Sequence, residues 1–234
     1  MLLLALSVAP GIAISIYILL KDQYNREPKL KLLICFFLGM VSTLPAITVQ
    51  LLLTKPVEQV MGASIAYTAV FAFIIVGLTE ELSKFLMLRY YAYPRKTFDE
   101  PLDGVVYSVM VSMGFATLEN IGYVMQHGLG TAVMRMFLSV PAHGTFAVLM
   151  GYFIGMAKFQ PHRRRTLFFR GIFWATFFHG TYDFFLFLQT HQWVRNNQAE
   201  LLLFFGAVVS LLVALLLSRK AIRLHVKTSK SMFS

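Results

Sequence analysis

Seven separate apolar runs constrain this chain more than any other feature of it. They cover residues 2–20, 32–53, 60–88, 103–125, 136–156, 167–188 and 201–217. A helix rises about 1.5 Å per residue, so roughly 20 such residues cross about 30 Å of hydrocarbon. Strands of a membrane barrel are about half as long and alternate in polarity, which these runs do not. The composition agrees: 57% of residues are hydrophobic and only 14% charged, against about 25% charged in soluble domains. The sequence therefore predicts an all-α, polytopic transmembrane helix bundle of about seven spans. No composition shift marks a second domain. Residues 1–234 read as one integral membrane domain, with a motif-bearing core at 60–188 and a basic tail at 218–234. The first run lacks a basic start and a small-x-small cleavage site, so it reads as a retained helix and not a signal peptide. Pro45 is expected to kink the second run, Lys55-Pro56 to break the chain after it, and residues 126–135 to form a short Gly-rich connection.

The net charge of +10 raises the question of a nucleic-acid partner. Its distribution answers that question. Of the 21 Lys and Arg residues, one alternate set of loops holds Lys21, Arg26, Lys29 and Lys31, then Arg89, Arg95 and Lys96. It continues with Lys158, Arg163, Arg164, Arg165 and Arg170, then Arg219, Lys220, Arg223, Lys227 and Lys230. The opposite set holds only Lys55, Arg135 and Arg195. Positive charge concentrates on the cytoplasmic side of multi-pass proteins. The expected arrangement is a multi-pass protein of the cell membrane with its N-terminus outside, its C-terminus in the cytoplasm, and no nucleic-acid partner. The same count places the Glu80-Glu81-Lys84 segment in the cytoplasmic half. The single cysteine, Cys35, excludes an internal disulfide framework and a Cys-based metal site.

Ionisable groups inside a bilayer are expensive and mark function by default. Of the eleven acidic residues, Glu80, Glu81, Glu119 and Asp183 lie inside runs. Of the six histidines, His143 and His179 do. On a helix Lys84 follows Glu80 by four residues and Glu81 by three, so both acids can face its ammonium. Asp183 follows His179 by four and can orient the imidazole. Each pair alone is explained equally well by a helix-end ion pair or an interhelical hydrogen bond. Together, carboxylates and imidazoles on four helices suit hydrolysis, which needs a base for water, an acid for the leaving amine and donors for an oxyanion. There is no His-Glu-x-x-His motif, no Gly-x-Ser-x-Gly elbow and no phosphate-binding Gly-rich loop. Carboxylate-activated water, with or without a divalent metal such as zinc, is the simplest chemistry left.

In combination these motifs resemble the PrsW family of bacterial intramembrane proteases. The matching segments are Glu80-Glu81-Leu82-Ser83-Lys84, Phe115-Ala116-Thr117-Leu118-Glu119-Asn120, His143, and His179-Gly180-Thr181-Tyr182-Asp183. Ala9-Pro10-Gly11, Lys21-Asp22-Gln23-Tyr24 and Phe98-Asp99-Glu100 also look like the family. The family is in turn distantly similar to the CAAX prenyl endopeptidases, with Glu-Glu pairs and His facing a cytoplasm-side cavity. That similarity implies Glu80 as the water-activating base, with Lys84 holding its charge or that of Glu81. It implies His179, set by Asp183, as oxyanion stabiliser or proton shuttle. Glu119 and His143 would complete the water or metal site, and Asn120 would donate a hydrogen bond. If a metal is bound, Glu80, Glu119, His143 and His179 are the implied ligands. The implied substrate is a single-pass membrane protein, an anti-sigma factor cut at site 1 to start a stress response.

Two other classes stay open at this level: a proton-coupled transporter and a non-catalytic membrane sensor. The hydrolase reading also requires that these residues meet around one hydrated pocket, expected to open inward. Counting along the helices puts Glu81 about 12 Å from Arg89 but Glu119 about 24 Å from Asp103. Upright helices starting in one plane would keep the two acids apart. A tilt, or a fourth helix that begins in the cytoplasm, would bring them level.

Overall fold

A computed structural model describes residues 1–233. Among the described residues its regular elements are all helices: α1 (Leu2–Leu19), α2 (Lys29–Met61), α3 (Ile65–Ala92), α4 (Pro101–His127), α5 (Leu129–Phe137), α6 (Ser139–Phe159), α7 (Arg164–Leu188), the short α8 (Gln192–Asn196) and α9 (Glu200–Phe233). Six stretches are long and apolar enough to cross a membrane: α1, α2, α3, α4, α5 with α6 as Leu129–Phe159, and α9. The seventh run, in α7, falls short of that composition. Its first turns carry Arg164, Arg165 and Arg170, and its second half carries His179 and Asp183.

α4 is the axis of the bundle. Its most apolar stretch is 89% buried, against 28% for those of α1, α3 and α9. The outer helices turn Leu51, Leu52, Phe169 and Leu202 outward, an apolar exterior suited to lipid. Small residues let backbones close on α4. A Cβ on Gly104 would lie 2.4 Å from the Gly151 carbonyl oxygen, and one on Gly114 would lie 1.7 Å from that of Phe36. These are the small-residue contacts by which membrane helices pack.

Three local expectations are corrected. Pro56 does not break the second helix, which runs on to Met61. The chain turns instead at Gly62, whose φ of 63° suits only glycine, and Ser64 then caps α3 by accepting from the Tyr67 amide. Residues 126–135 are not merely a connection. Gly128, at φ 80°, reverses the chain into helix α5. The basic tail is a continuation of α9, and it buries Ala221, Ile222, His225 and Ser229.

α3 is wound unevenly. Phe71–Leu78 and Leu88–Ala92 are π-helical, on either side of the α-helical Thr79–Met87 that holds the acidic pair. Such widened turns are frequent at functional sites.

Candidate active site

α3, α4, α6 and α7 bring every singled-out residue to one place. Lys84 Nζ donates to Glu81 Oε1 at 2.8 Å and to Glu80 Oε2 at 3.4 Å, so the spacing of three and four residues acts as expected. The same ammonium lies 3.2 Å from His143 Nδ1 and 4.1 Å from the centre of the Phe115 ring. An ammonium only donates, so His143 Nδ1 accepts. His143 Nε2–H then donates to Glu119 Oε2 at 3.0 Å. All three members of the Glu-Glu-x-x-Lys motif are buried, as are Asn120, His143 and His179.

His179 sits between three carboxylates. Its Nδ1–H donates to Glu81 Oε1 at 2.9 Å. Its Nε2 lies 3.2 Å from Asp183 Oδ2 and 3.9 Å from Glu80 Oε2. Asp183 thus meets the imidazole as the spacing predicts, but on the far nitrogen. The carboxylate that fixes Nδ1 is Glu81. The Phe146 ring stacks on His179, with centroids 5.3 Å apart.

The level mismatch between Glu81 and Glu119 is resolved by where α4 begins. Tyr107 Oη donates to Glu27 in the α1–α2 loop and meets Thr97 in the α3–α4 loop. The first two turns of α4 therefore stand at the height of the loops, and Glu119 reaches the depth of Glu80. The cluster lies nearer the other end of the bundle. Glu119 is about 12 Å from the end of α4 at His127, and His143 about 6 Å from the start of α6.

Three contributors escaped the sequence reading. Gln50 of α2 donates to Glu80 Oε1 at 3.3 Å. Arg135 of α5 donates to Glu119 Oε2 at 2.6 Å and to Asn120 Oδ1 at 2.9 Å. The Tyr123 ring lies 4.2 Å from the Arg135 guanidinium. The available signals were a lone Gln in an apolar run and a lone Arg between two of them.

Above this cluster opens a cavity of about 660 Å³. Glu80, Glu119, His143, His179 and Asp183 line it, and Gln126 and Arg135 stand along it as well. Glu80, His143 and His179 each offer one ligand atom, all within 4.8 Å of one another. Two imidazoles and a carboxylate match a zinc site that keeps its fourth position for water. His179 Nε2 facing two carboxylates also calls for something positive between them. The donor set fits a divalent metal. His143 joins it only by releasing Lys84 or Glu119. Glu119, counted as a fourth ligand on sequence grounds, is not part of this trio and is bonded instead to Arg135.

The comparisons with known proteins agree with this geometry. The family model described as PrsW family intramembrane metalloprotease matches residues 27–217. Protease PrsW of Geobacillus kaustophilus (strain HTA426) is 38% identical over 191 residues, covering 82% of each chain. Protease PrsW of Bacillus subtilis (strain 168) is 40% identical over 191 residues, 79% of this chain and 82% of that one. Protease PrsW of Clostridioides difficile (strain 630) is 33% identical over 197 residues, 82% of this chain and 81% of that one. No solved structure matches. A multi-pass chain whose buried acids and imidazoles converge on one cavity, and which matches that model from the end of its first loop into its last helix, belongs to the PrsW family of intramembrane metalloproteases, and is a peptidase of the cell membrane.

Proposed function

We propose that the chain hydrolyses a peptide bond of a single-pass membrane protein in the cavity above Glu80, His143 and His179. The observation that supports this most is the convergence of those three ligand atoms within 4.8 Å at a buried spot that a cavity reaches. In this reading the three residues hold a zinc-like ion. A bound metal there would lower the pKa of its water and polarise the scissile carbonyl. Glu81 fixes the tautomer and the ring of His179. Lys84 balances the two glutamates. Arg135, itself placed by Asn120 Oδ1, holds Glu119, which steadies His143. Among the described residues Asp183 pairs with the His179 Nε2 alone. It is therefore the carboxylate free to take a proton from water and return it to the leaving amine.

The charge count orients the bundle. Seven spans, with α7 as the one that tolerates polar groups because they face the interior, put the N-terminus outside and the C-terminus in the cytoplasm. In that arrangement Gln126 and Arg135 lie at the outer end. In this reading the cavity belongs to the outer half, whereas the charge count taken along the sequence alone puts the Glu80-Glu81-Lys84 segment in the cytoplasmic half. An outer-half cavity suits a first cut on the external side of a substrate. By the resemblance to the family, that substrate is an anti-sigma factor and the cut begins a stress response.

The test uses the full chain in detergent, a single-pass substrate, and Glu80→Gln and His179→Ala variants. Both variants should be folded and inactive, and a chelator should silence the parent. A folded Glu80→Gln protein that cleaves at the parent rate would remove the assignment.

A further inference from the structure

At the other end of α4, about 24 Å along the helix from Glu119, a second group of acids is buried. Asp22 comes from the α1–α2 loop, Glu100 from the residue before α4 and Asp103 from its first turn. Each is at most 2% exposed. Each offers one oxygen, and these atoms lie within 4.8 Å of one another.

The way the oxygens are divided is informative. Asp22 Oδ2 accepts from the Glu27 amide at 2.9 Å, and Asp103 Oδ2 accepts from the Asp99 and Glu100 amides at 2.8 Å each. One oxygen of each aspartate thus ties down its own loop. Among the described residues, Asp22 Oδ1 and Asp103 Oδ1 are buried without any hydrogen-bond partner, and the Glu100 carboxylate, which caps α4 over the Asp103 amide, is buried between them with no cation on it. Ser229, from the far end of α9, is fully buried with its hydroxyl turned to the Glu100 carboxylate. The ammonium groups of Lys31 and Lys158 form their hydrogen bonds with other groups, and Lys158 reaches Asp103 only through its field. Lys31 donates to Thr97 Oγ1 at 3.0 Å, and Lys158 donates to the Tyr93 and Arg95 carbonyls at 2.7 and 3.1 Å. Arg26 reaches Asp22 only through its field. Converging carboxylates out of water are costly unless a positive partner joins them.

We propose that Asp22, Glu100 and Asp103, with the Ser229 hydroxyl, form a binding site for a hard divalent cation, separate from the catalytic cluster. An all-oxygen donor set selects calcium, magnesium or manganese over the softer metals that imidazoles favour. The bound ion ties three distant pieces of chain together: the α1–α2 loop, the start of the axial helix and the end of α9. It would act as a structural clamp on the base of α4.

The experiment uses the full chain in detergent, stripped of metal, in a Glu80→Gln/His143→Ala background that disables the other donor set. Mn²⁺ is the probe, read by loss of the free-ion electron paramagnetic resonance signal. One Mn²⁺ per chain should bind, Ca²⁺ should displace it, and Glu100→Gln should weaken it at least about tenfold. Ca²⁺ should also raise the melting temperature of the background protein, a readout that needs no variant of the acidic group. Absence of both Mn²⁺ binding and a Ca²⁺-dependent melting shift at millimolar ion overturns the proposal. So does Mn²⁺ binding that a folded Glu100→Gln variant leaves intact. Neither result depends on cleavage, so failure here leaves the proposed protease chemistry standing.

Discussion

Glu81 and His179 are joined at 2.9 Å through Nδ1, and that bond decides what the rest of the ring is for. A carboxylate can only accept, so Nδ1 keeps its proton and Nε2 is aimed at Glu80 and Asp183. In the proposed chemistry the second glutamate of the pair is thus a positioning residue, and the first faces the reaction. Outer carboxylates of this kind typically contribute 10- to 100-fold in metal affinity or activity. Glu81→Gln should therefore lower metal retention by about 10- to 100-fold in a folded protein. Asp183→Asn, on the open side of the ring, should slow cleavage while leaving retention near that of the parent. Metal analysis after dialysis, beside cleavage rates, separates the two. Equal loss of metal in both variants would contradict this division of roles.

Lys84 touches Glu80, Glu81 and His143 together, and its side chain is 3% exposed. Removing it leaves two buried carboxylates without their partner. Breaking such a pair costs about 3–5 kcal/mol. Lys84→Met should lower the melting temperature markedly and reduce the yield of monodisperse protein. Lys84→Met/Glu81→Gln should recover part of the loss, because one orphaned charge is gone. Thermal unfolding in detergent measures both, and a fully stable Lys84→Met protein would show that the ion pair is not what holds α3 in place.

Arg135 joins α5 to α4 through Glu119 and Asn120. Charge-assisted hydrogen bonds of this sort contribute about 1.5–3 kcal/mol each. Arg135→Gln should release Glu119, loosen α5 and lower cleavage at least tenfold, with a smaller loss of stability than Lys84→Met. Hydrogen exchange of residues 129–137 should rise in the variant. Unchanged exchange with unchanged cleavage would reduce Arg135 to a surface charge.

The helices were legible because the length of an apolar run is imposed by the thickness of hydrocarbon, whatever packs against it. Where they end was less so. Proline is tolerated in membrane helices when neighbours re-satisfy the backbone, so Pro56 gave no break, whereas Gly62 did through its dihedral angles. The reactive residues were legible for a related reason: Glu80, Glu119, His143 and His179 stand against an apolar background. Gln50 was hidden because it is neutral. Arg135 was hidden because its charge was credited to topology. Asp22, Glu100 and Asp103 looked like ordinary loop acids, since their convergence brings together the α1–α2 loop, the start of α4 and, at Glu100, Ser229 of the distant α9, and no local pattern encodes that contact.

Orientation makes its own prediction. The chain has one cysteine, Cys35, which is buried. In a Cys35→Ser background, Cys placed at His127 or at Lys96 occupies exposed positions at opposite ends of the bundle. A membrane-impermeant maleimide added to intact cells should label the His127→Cys protein and spare the Lys96→Cys protein until the membrane is opened. The reverse pattern would put the cavity toward the cytoplasm and remove the external first cut.

The packing of α4 can be tested by glycines in contrasting surroundings. A methyl group at Gly114 would meet the Phe36 backbone at 1.7 Å, and one at Gly155 would meet the Pro101 carbonyl oxygen at 2.0 Å. Backbone cannot yield as a side chain can, so Gly114→Ala and Gly155→Ala should force helices apart and abolish the folded, active protein. A methyl at Gly122, on the same helix as Gly114, meets nothing within 4 Å. There the substitution gains helix propensity of up to about 1 kcal/mol, so Gly122→Ala should keep full cleavage and melt at or slightly above the parent temperature. If all three variants behaved alike, close backbone contact at the axis would not be what organises the bundle. The walls that carry Glu80, His143 and His179 would then owe their spacing to some other restraint.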